Sequence, residues 1–209
     1  MPIAKNIGGD FKPLPAGTHV ARCFAVISLG TQPSNNPQFA PAFKVMLMWE
    51  VPDETVDMQG VATPMTISKE YTLSLNEKAN LRRDLQSWRG KEFTAKELEG
   101  FDVANVCGAP CMLSVIHKAN AKGSTYANIA SISALAKSVK CAEPFHKYLK
   151  FEIEHGQNAV FKALPEWISK KILNCGEWTH PAAAPQGSAE TPHDEDGSDE
   201  QADGSEIPF

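Results

Sequence analysis

Hydrophobic residues alternate with a period of two in five stretches of this 209-residue chain, and the pattern becomes helical between the third and the fourth stretch. The five stretches are residues 19–29, 42–51, 65–73, 110–118 and 124–133. Alternation over such lengths predicts β-strands that bury one face. We therefore expect a mainly β (α+β) fold with a helix inserted between its third and fourth strands.

Two capping boxes mark the helical part of the sequence. Residues 74–77 and residues 94–97 each place a Ser or Thr at the N-cap and a Glu three positions later. Gly90 is expected to end the first helix, and Gly100 to end the short second one. Three apolar residues of the first helix have helical spacing: Leu81, Leu85 and Trp88.

Three strands, a helix and two further strands are the element order of the OB-fold, a five-stranded Greek-key barrel. Such barrels bind oligonucleotides with the face of strands two and three and with the loops after strands one and four. Here these loops are a Pro- and Asn-rich segment at 30–41 and a basic hairpin loop at 119–123, and residues 52–63 are predicted to form another long loop. The sequence thus predicts an N-terminal arm at 1–18 and an OB-fold domain at 19–135.

Two segments follow the predicted barrel. Residues 136–179 are expected to form an appendage that contains a short strand at 151–154 and one helix. Pro165 opens this helix, whose apolar stripe is Leu164, Trp167, Ile168 and Ile172. The stripe must pack on the barrel or on a second subunit, so a homo-oligomer is one expectation. Residues 180–209 are rich in Pro, Ala, Gly, Ser and acidic residues, a composition that predicts a disordered tail.

The charge of the chain is divided between body and tail. Residues 180–209 contain eight acidic residues and no Lys or Arg, which leaves 17 acidic and 20 basic residues in the body. The body is therefore +3 and the tail −8, and together they give the net charge of −5. A basic body with an acidic tail indicates nucleic-acid binding combined with an interaction tail.

Membrane and secreted classes do not fit the sequence. It has no run of about 18 apolar residues, and residues 1–10 lack the pattern of a signal peptide. The five cysteines are odd in number and form no CxxC motif. We therefore expect a cytoplasmic location.

Catalytic motifs are not found in the sequence either. GxxxxGK[ST], GxGxxG, HExxH and GxSxG do not occur. Cys107, Cys111 and His117 do not have the spacing of a standard zinc site. The acidic residues of 53–57 fit a solvated loop better than the Mg²⁺ ligands of a nuclease. We expect a protein that is not an enzyme and holds no cofactor or metal, with a metal-dependent nuclease as the least favoured alternative.

The last four residues, Glu206, Ile207, Pro208 and Phe209, end the acidic tail with apolar side chains and a terminal carboxylate. Together with the OB-like element order, this ending resembles the single-stranded DNA-binding proteins of bacteria and their phages, whose tails end in Asp-Ile-Pro-Phe or a close variant. Residues 75–82, 88–90 and 126–129 look like phage-encoded proteins of this kind. The resemblance implies that the tip recruits enzymes of DNA replication, recombination and repair.

Binding of a single strand requires cations for the phosphates and aromatic faces for the bases. The candidate stacking residues are Phe39, Trp49, Tyr71 and Tyr126. The candidate phosphate partners are Arg22, Lys44, Lys69, Lys118 and Lys122. Core packing is the alternative for each aromatic residue, and it is favoured for Phe43 and Trp49. A solvated surface is the alternative for each lysine, and equally for the helix face of Arg82, Arg83 and Arg89.

Two functions remain open from the sequence. The first is a sequence-independent single-stranded DNA-binding protein that coats and protects single strands and recruits partner enzymes through its C-terminal tip. The alternative is a protein-interaction adaptor that mimics the tail of the host's single-strand-binding protein and has no intrinsic DNA binding. Binding of DNA by the body without its tail distinguishes the two.

Overall fold

The structure is a computed structural model that describes residues 12–34, 36–120 and 123–179. The predicted tail, with its tip Glu206, Ile207, Pro208 and Phe209, lies outside the described residues, and so does Lys122. The described part contains six strands: β1 (Gly17–Gln32), β2 (Ala42–Met58), β3 (Val61–Thr72), β4 (Pro110–Ala119), β5 (Thr125–Ser133) and β6 (Leu149–Phe151). Its five α-helices are α1 (Asn80–Arg89), α2 (Ala95–Glu99), α3 (Ala159–Lys162), α4 (Glu166–Leu173) and α5 (Gly176–Thr179).

The protein is mainly β, and its first five strands form one curled antiparallel sheet in the order β3-β2-β1-β4-β5. The central strand β1 pairs with β2 along one edge. Its other edge is shared, because β4 pairs with residues 17–22 and the short β6 runs parallel to residues 25–27. The expected sequence of three strands, a helical part and two strands is thus confirmed.

The sheet carries apolar side chains on both of its faces. The buried apolar residues of the described chain form two clusters, one on the inner side of the curled sheet with α1 and one on the outer side with α4. On β2, Leu47 and Trp49 belong to the inner cluster, while Met46 and Met48 belong to the outer one. Successive side chains of β2 therefore alternate between the two clusters, and both faces of the strand are buried at its centre.

A buried carboxylate attaches α1 to the sheet. Asp84 accepts a hydrogen bond from the Tyr71 hydroxyl at 2.9 Å and forms an ion pair with Lys69 Nζ at 2.9 Å. Lys69 Nζ also lies 3.4 Å from the carbonyl oxygen of Ile129. Burial and the Asp84 carboxylate together raise the pKa of Tyr71 well above its usual value. This cluster connects β3 and β5, the two end strands of the sheet.

The prediction of a long loop at residues 52–63 is wrong. β2 and β3 continue as a hairpin and are joined by the two-residue turn Gln59-Gly60, with φ of 56° and 86°. Positive φ at both positions is the geometry of a type I′ turn, and Asp57 Oδ1 supports it by accepting from Gly60 N at 2.7 Å. Pro52 is tolerated because a bulge between Val51 and Thr55 interrupts the ladder there.

One of the two predicted capping boxes is present. Thr94 Oγ1 accepts from Glu97 N at 3.3 Å, and Glu97 Oε2 accepts from Thr94 N at 2.8 Å. The box at 74–77 is wrong, because Ser74 Oγ accepts from Asn76 N within a local turn and α1 begins only at Asn80. Gly90 ends α1 in the left-handed conformation, as expected.

The C-terminal segment packs on the outer side of β1 and β2. It contains three short helices where the sequence predicted one, and its strand is β6 at 149–151. Leu164, Ile168 and Ile172 are buried in the outer cluster, as their spacing predicted. Glu177 fixes α5 by accepting from Thr31 N at 2.7 Å. None of the helices in the described ranges has the length and apolar character needed to cross a membrane.

Replacing Gly30 by Ala tests this packing. Gly30 has a φ of 73°, and a Cβ atom there would lie 2.5 Å from Ile153 Cδ1 and 2.6 Å from Cys175 Sγ. We expect Gly30→Ala to lower the free energy of unfolding by about 2–4 kcal/mol, measured by urea denaturation. Gly60→Ala is the control, because Gly60 also has positive φ but no atom within 4 Å of its Cβ position. Equal losses in the two variants would contradict close packing at Gly30.

Candidate nucleic-acid interface

Two of the aromatic residues predicted to stack on bases are in the interior. Trp49 has no exposed surface and Tyr71 is 3% exposed, and both belong to the inner cluster. Neither ring offers a face to a ligand, so the prediction of base stacking at Trp49 and Tyr71 is wrong. The physical reason is that the alternating face that carries them faces α1 and not solvent.

Two of the predicted phosphate partners, Lys69 and Arg22, form hydrogen bonds or ion pairs with other groups of the protein. Lys69 is paired with Asp84, as described above. Arg22 donates from Nη1 to the carbonyl oxygen of Gly108 at 2.9 Å and from Nη2 to that of Ala142 at 2.8 Å. Both cations are therefore already engaged with the protein's own groups, and their contact with phosphates stays a prediction.

The remaining predicted residues are divided between the two ends of β1. Phe39, in the loop after β1, is partly exposed, and Lys44 Nζ donates to Thr72 Oγ1 at 2.7 Å. Lys118 and Tyr126 are paired across β4 and β5, and both are half-buried. Because β4 pairs with the N-terminal part of β1, the structure brings Lys118 and Tyr126 together but places them far from Phe39.

The arginines of α1 do not form one exposed face. Arg82 donates to the carbonyl oxygen of Leu75. The guanidinium of Arg89 is paired with Glu97 and lies over the ring of Phe93, 4.4 Å from its centroid. Arg83 alone of the three has a side chain that is mostly exposed. The interpretation of this helix as a phosphate track is therefore weakened.

A lysine-rich segment that our sequence reasoning missed lies between β5 and the end of β6. We call residues 137–150 the strap. It contains four exposed lysines and one glutamate: Lys137, Lys140, Lys147, Lys150 and Glu143. Taking these five residues out of the 20 basic and 17 acidic residues of the body leaves 16 of each. The whole positive excess of the body therefore lies in the strap.

Two aromatic rings of the strap are open to solvent. Phe145 and Tyr148 are each 51% exposed, more than Phe39, which is 37% exposed. Tyr148 rests against the backbone of Gly108, where a Cβ atom would lie 3.2 Å from two of its ring carbons. The Phe145 ring stands edge-on to His146, with 5.2 Å between the ring centroids. Both rings thus have a supported side and an open side.

A buried glutamate holds the strap on the sheet. Glu50 has no exposed surface, and it accepts from Phe145 N at 3.2 Å and from His146 N at 2.9 Å. The His146 Nδ1 atom lies 2.7 Å from the same carboxylate, and the imidazole stacks on Phe24 at 4.7 Å. Burial acts to raise the pKa of Glu50, but the hydrogen bonds from His146 and Phe145 outweigh it, and the pKa lies below its usual value.

No group of three or more His, Cys, Asp or Glu side chains in the described ranges is arranged to hold a metal ion. Burial raises the pKa of the Cys141 thiol in the strap and of the Cys107 thiol beside it, which keeps both protonated and poorly nucleophilic. What the surface can do is stack aromatic rings on planar ligands and attract anions.

Comparisons with known proteins add no identity. No protein-family model matches the chain. A search of curated proteins finds no significant match. The interpretation of the strap therefore depends on its own geometry and charge.

Removing the charge of Glu50 tests how the strap is held. Glu50→Gln keeps the shape but replaces one acceptor oxygen by an amide nitrogen that faces donors of the strap. We expect a loss of about 2–4 kcal/mol in the free energy of unfolding at pH 7, measured by urea denaturation. Glu143→Gln is the control, because Glu143 is an exposed carboxylate of the same segment.

The pH dependence of the free energy of unfolding of wild type and of Glu50→Gln gives a second readout. The folded-state pKa of Glu50 is lowered, so its stabilisation is fully present above the unfolded value of about 4.3. That stabilisation is lost as the pH falls through the folded-state pKa. The gap between wild type and Glu50→Gln should therefore narrow in acid, and a gap that stays constant would contradict the assignment.

Proposed function

We propose that this protein binds single-stranded DNA without strong sequence preference, using the strap as its main contact surface. The observation that carries the proposal is the pair of half-exposed rings, Phe145 and Tyr148, on the segment that holds the whole positive excess of the body. Stacking on aromatic rings contributes about 1–3 kcal/mol per base and tolerates any base, because every base has a π-face. Lysines beside the rings supply phosphate contacts.

We also propose that the curled sheet is the barrel of an OB-fold. The strand order β3-β2-β1-β4-β5, with α1 between β3 and β4, supports this interpretation. The contact of Lys69 with both Asp84 and Ile129 supports it as well, because it draws the two end strands toward each other. A Greek-key path would follow from this closure.

The proposed DNA path differs from the one expected for the face of strands two and three. The helix α4 packs on the outer side of β1 and β2 and so covers the part of that face that β2 contributes. The outer side of β4 remains accessible, since Ile116 is among the exposed large apolar residues. Lys118 and Tyr126 lie on the same pair of strands. We place the strand along the strap and from there toward β4 and β5.

Single strands fit this surface better than duplexes. The bases of a duplex are stacked on each other and cannot reach Phe145 or Tyr148, whereas unstacked bases can lie against both rings. Binding should weaken steeply with salt, because each phosphate contact releases counterions. In the adaptor alternative the body is a scaffold without intrinsic DNA binding and only the tip engages a partner, and the binding test below decides between the two.

The acidic tail completes the proposal. Its tip, Glu206-Ile207-Pro208-Phe209, would recruit enzymes of replication, recombination and repair, and the resemblance to phage-encoded single-strand-binding proteins suggests a role in a bacterial host. In this division of labour the body binds DNA and the tip binds protein.

Substitutions of the strap rings test the DNA-binding surface. We expect Phe145→Ala and Tyr148→Ala each to weaken binding of labelled oligo-dT by roughly five- to a hundredfold in fluorescence polarisation, through the lost stacking. Tyr148→Phe should retain nearly all of the affinity, because it keeps the ring. Leu173→Ala is the control for an exposed apolar residue away from the strap, on α4. Oligo-dT binding that is insensitive to both ring deletions would move the site elsewhere, and no binding by wild type would leave the adaptor function.

Deletion of residues 180–209 tests the role of the tail. The tail carries a charge of −8 and can compete with DNA for the strap, so its deletion should tighten oligo-dT binding several-fold at low salt and less at high salt. Phe209→Ala should leave the affinity for DNA unchanged, because it removes no charge. Fluorescence polarisation of the three proteins at two salt concentrations measures this. Equal affinities of the full chain and of residues 1–179 would show that the tail does not compete.

A further inference from the structure

One continuous part of the body has no carboxylates. Residues 103–142 contain no Asp or Glu, although the body as a whole has 17 acidic residues. The same segment has four lysines: Lys118, Lys122, Lys137 and Lys140. It comprises β4, β5 and the first part of the strap. Residues 17–22 of β1, which pair with β4 on its other edge, have no acidic residue either. The positive charge of the strap is therefore continued by strands whose own residues do not repel an anion.

The outward side chains of β4 and β5 form a surface beside the strap. We call the outward side chains of residues 112–118 and 126–133 the β4–β5 face. Leu113 and Val115 belong to the inner cluster, so the alternate residues Ser114 and Ile116 lie on the outer side of the sheet. Ser114 pairs with the exposed Ser131 of β5, and Ile116 is 41% exposed. No outward residue of this face belongs to either buried cluster of the described chain.

The strap crosses the sheet at one end of the β4–β5 face. β5 ends at Ser133, which pairs with Met112, and the strap begins four residues later. The carbonyl oxygen of Ala142 in the strap then accepts from Arg22, whose cross-strand neighbour is Pro110 at the start of β4. A ligand that leaves the strap at this point therefore meets the first residues of β4.

The strap and the β4–β5 face lie on the same side of the sheet. His146 of the strap stacks on Phe24, which belongs to the outer cluster. At the far end of the face, Lys118 and Tyr126 are cross-strand partners. The eight residue steps from Pro110 to Lys118 correspond to about 27 Å at 3.4 Å per residue. At the rise of about 3.4 Å per nucleotide of a stacked strand, this length takes about eight nucleotides, and an unstacked strand covers it with fewer.

The chemistry of the β4–β5 face matches a single strand. Serine hydroxyls and asparagine amides are common contacts of phosphate and sugar oxygens in complexes with DNA, and this face presents Ser131, Ser133 and Asn128. Ile116 and the half-buried Tyr126 add apolar surface against which unstacked bases can lie. The absence of carboxylates from both strands favours a polyanion as the ligand.

We propose that the β4–β5 face is a second segment of the single-strand site, which a strand reaches when it is long enough to extend beyond the strap. The inference rests on the proposed function, because the strand is held first by Phe145 and Tyr148. It adds a length requirement to that function. An oligonucleotide of five residues is held by the strap alone, whereas one of 15 residues occupies the strap and the β4–β5 face.

A carboxylate placed on the β4–β5 face tests the proposal. Ser131→Glu adds a negative charge at an exposed position. We expect it to weaken binding of a 15-residue oligo-dT about fivefold at low salt and to leave binding of a five-residue oligo-dT unchanged, measured by isothermal titration calorimetry with the full chain. Ser131→Gln is the matched control, because it has the same length without the charge, and it should keep both affinities. Ser87→Glu, at an exposed position of α1 on the inner side of the sheet, should keep them as well.

Removing a cation gives a second and different readout. Lys118→Gln takes away one phosphate contact, so the slope of log K against log salt for the 15-residue oligo-dT should become smaller by about 0.7. The slope for the five-residue oligo-dT should not change. An unchanged slope for both lengths would contradict a contact between Lys118 and the strand.

The outcomes separate the two proposals. If Tyr148→Ala weakens binding of both lengths while Ser131→Glu and Lys118→Gln change neither, the proposed function stands and the second segment is wrong. If Ser131→Glu weakens both lengths by the same factor, or if Ser131→Gln weakens binding as much as Ser131→Glu does, the division into two segments is also wrong. If wild type binds neither oligonucleotide, the proposed function fails and the second segment fails with it.

Discussion

Burial of β1 on both faces is the constraint on which the rest of the structure depends. A strand that alternates regularly sends every second residue to the same side, yet Cys23 and Val26 join the inner cluster while Phe24, Ala25 and Ile27 join the outer one. The register shift between Cys23 and Ala25 makes this possible, because a bulge changes the phase of the strand by one residue. With two apolar faces, β1 requires a cover on each side, and α1 and α4 provide these covers.

The polar residues at the centre of the sheet explain why the strap lies where it does. Arg22 and Glu50 are cross-strand partners on β1 and β2, and neither can be left buried without hydrogen bonds. Arg22 donates to the carbonyl oxygen of Ala142, and the Glu50 carboxylate accepts from the backbone amides of Phe145 and His146. Main-chain groups of the strap thus satisfy both carboxylate oxygens of Glu50 and one nitrogen of Arg22, while Arg22 Nε has no partner among the described residues. The same attachment turns the Phe145 and Tyr148 rings outward.

The sequence predicts the order of the first five strands with a helical part between β3 and β4, the end of α1 at Gly90 and the apolar stripe of α4, because periodicity and capping are local. It does not predict which face of a strand is covered. The burial of Trp49 and Tyr71 depends on α1 and Asp84, which lie outside the strands that carry these two residues. The strap has no periodicity, so only its spacing of lysines around two aromatic residues could have marked it as a site. The hairpin at 59–60 was missed because Pro52 masks the continuity of β2.

The distribution of charge follows from the same packing. Several cations of the sheet and of α1 are paired with carbonyl or carboxylate groups of the protein: Arg22, Lys69 and Arg89. These paired cations contribute little to the electrostatic potential at the surface. The exposed lysines of the strap form no such contact among the described residues, and the body's excess of +3 remains there. The attraction of a polyanion depends on the local charge density within a Debye length. A modest net charge that is confined to one segment can therefore attract a polyanion strongly there. The competition that we propose for the acidic tail, whose charge is −8, would therefore be directed at the strap and not at the whole surface of the body.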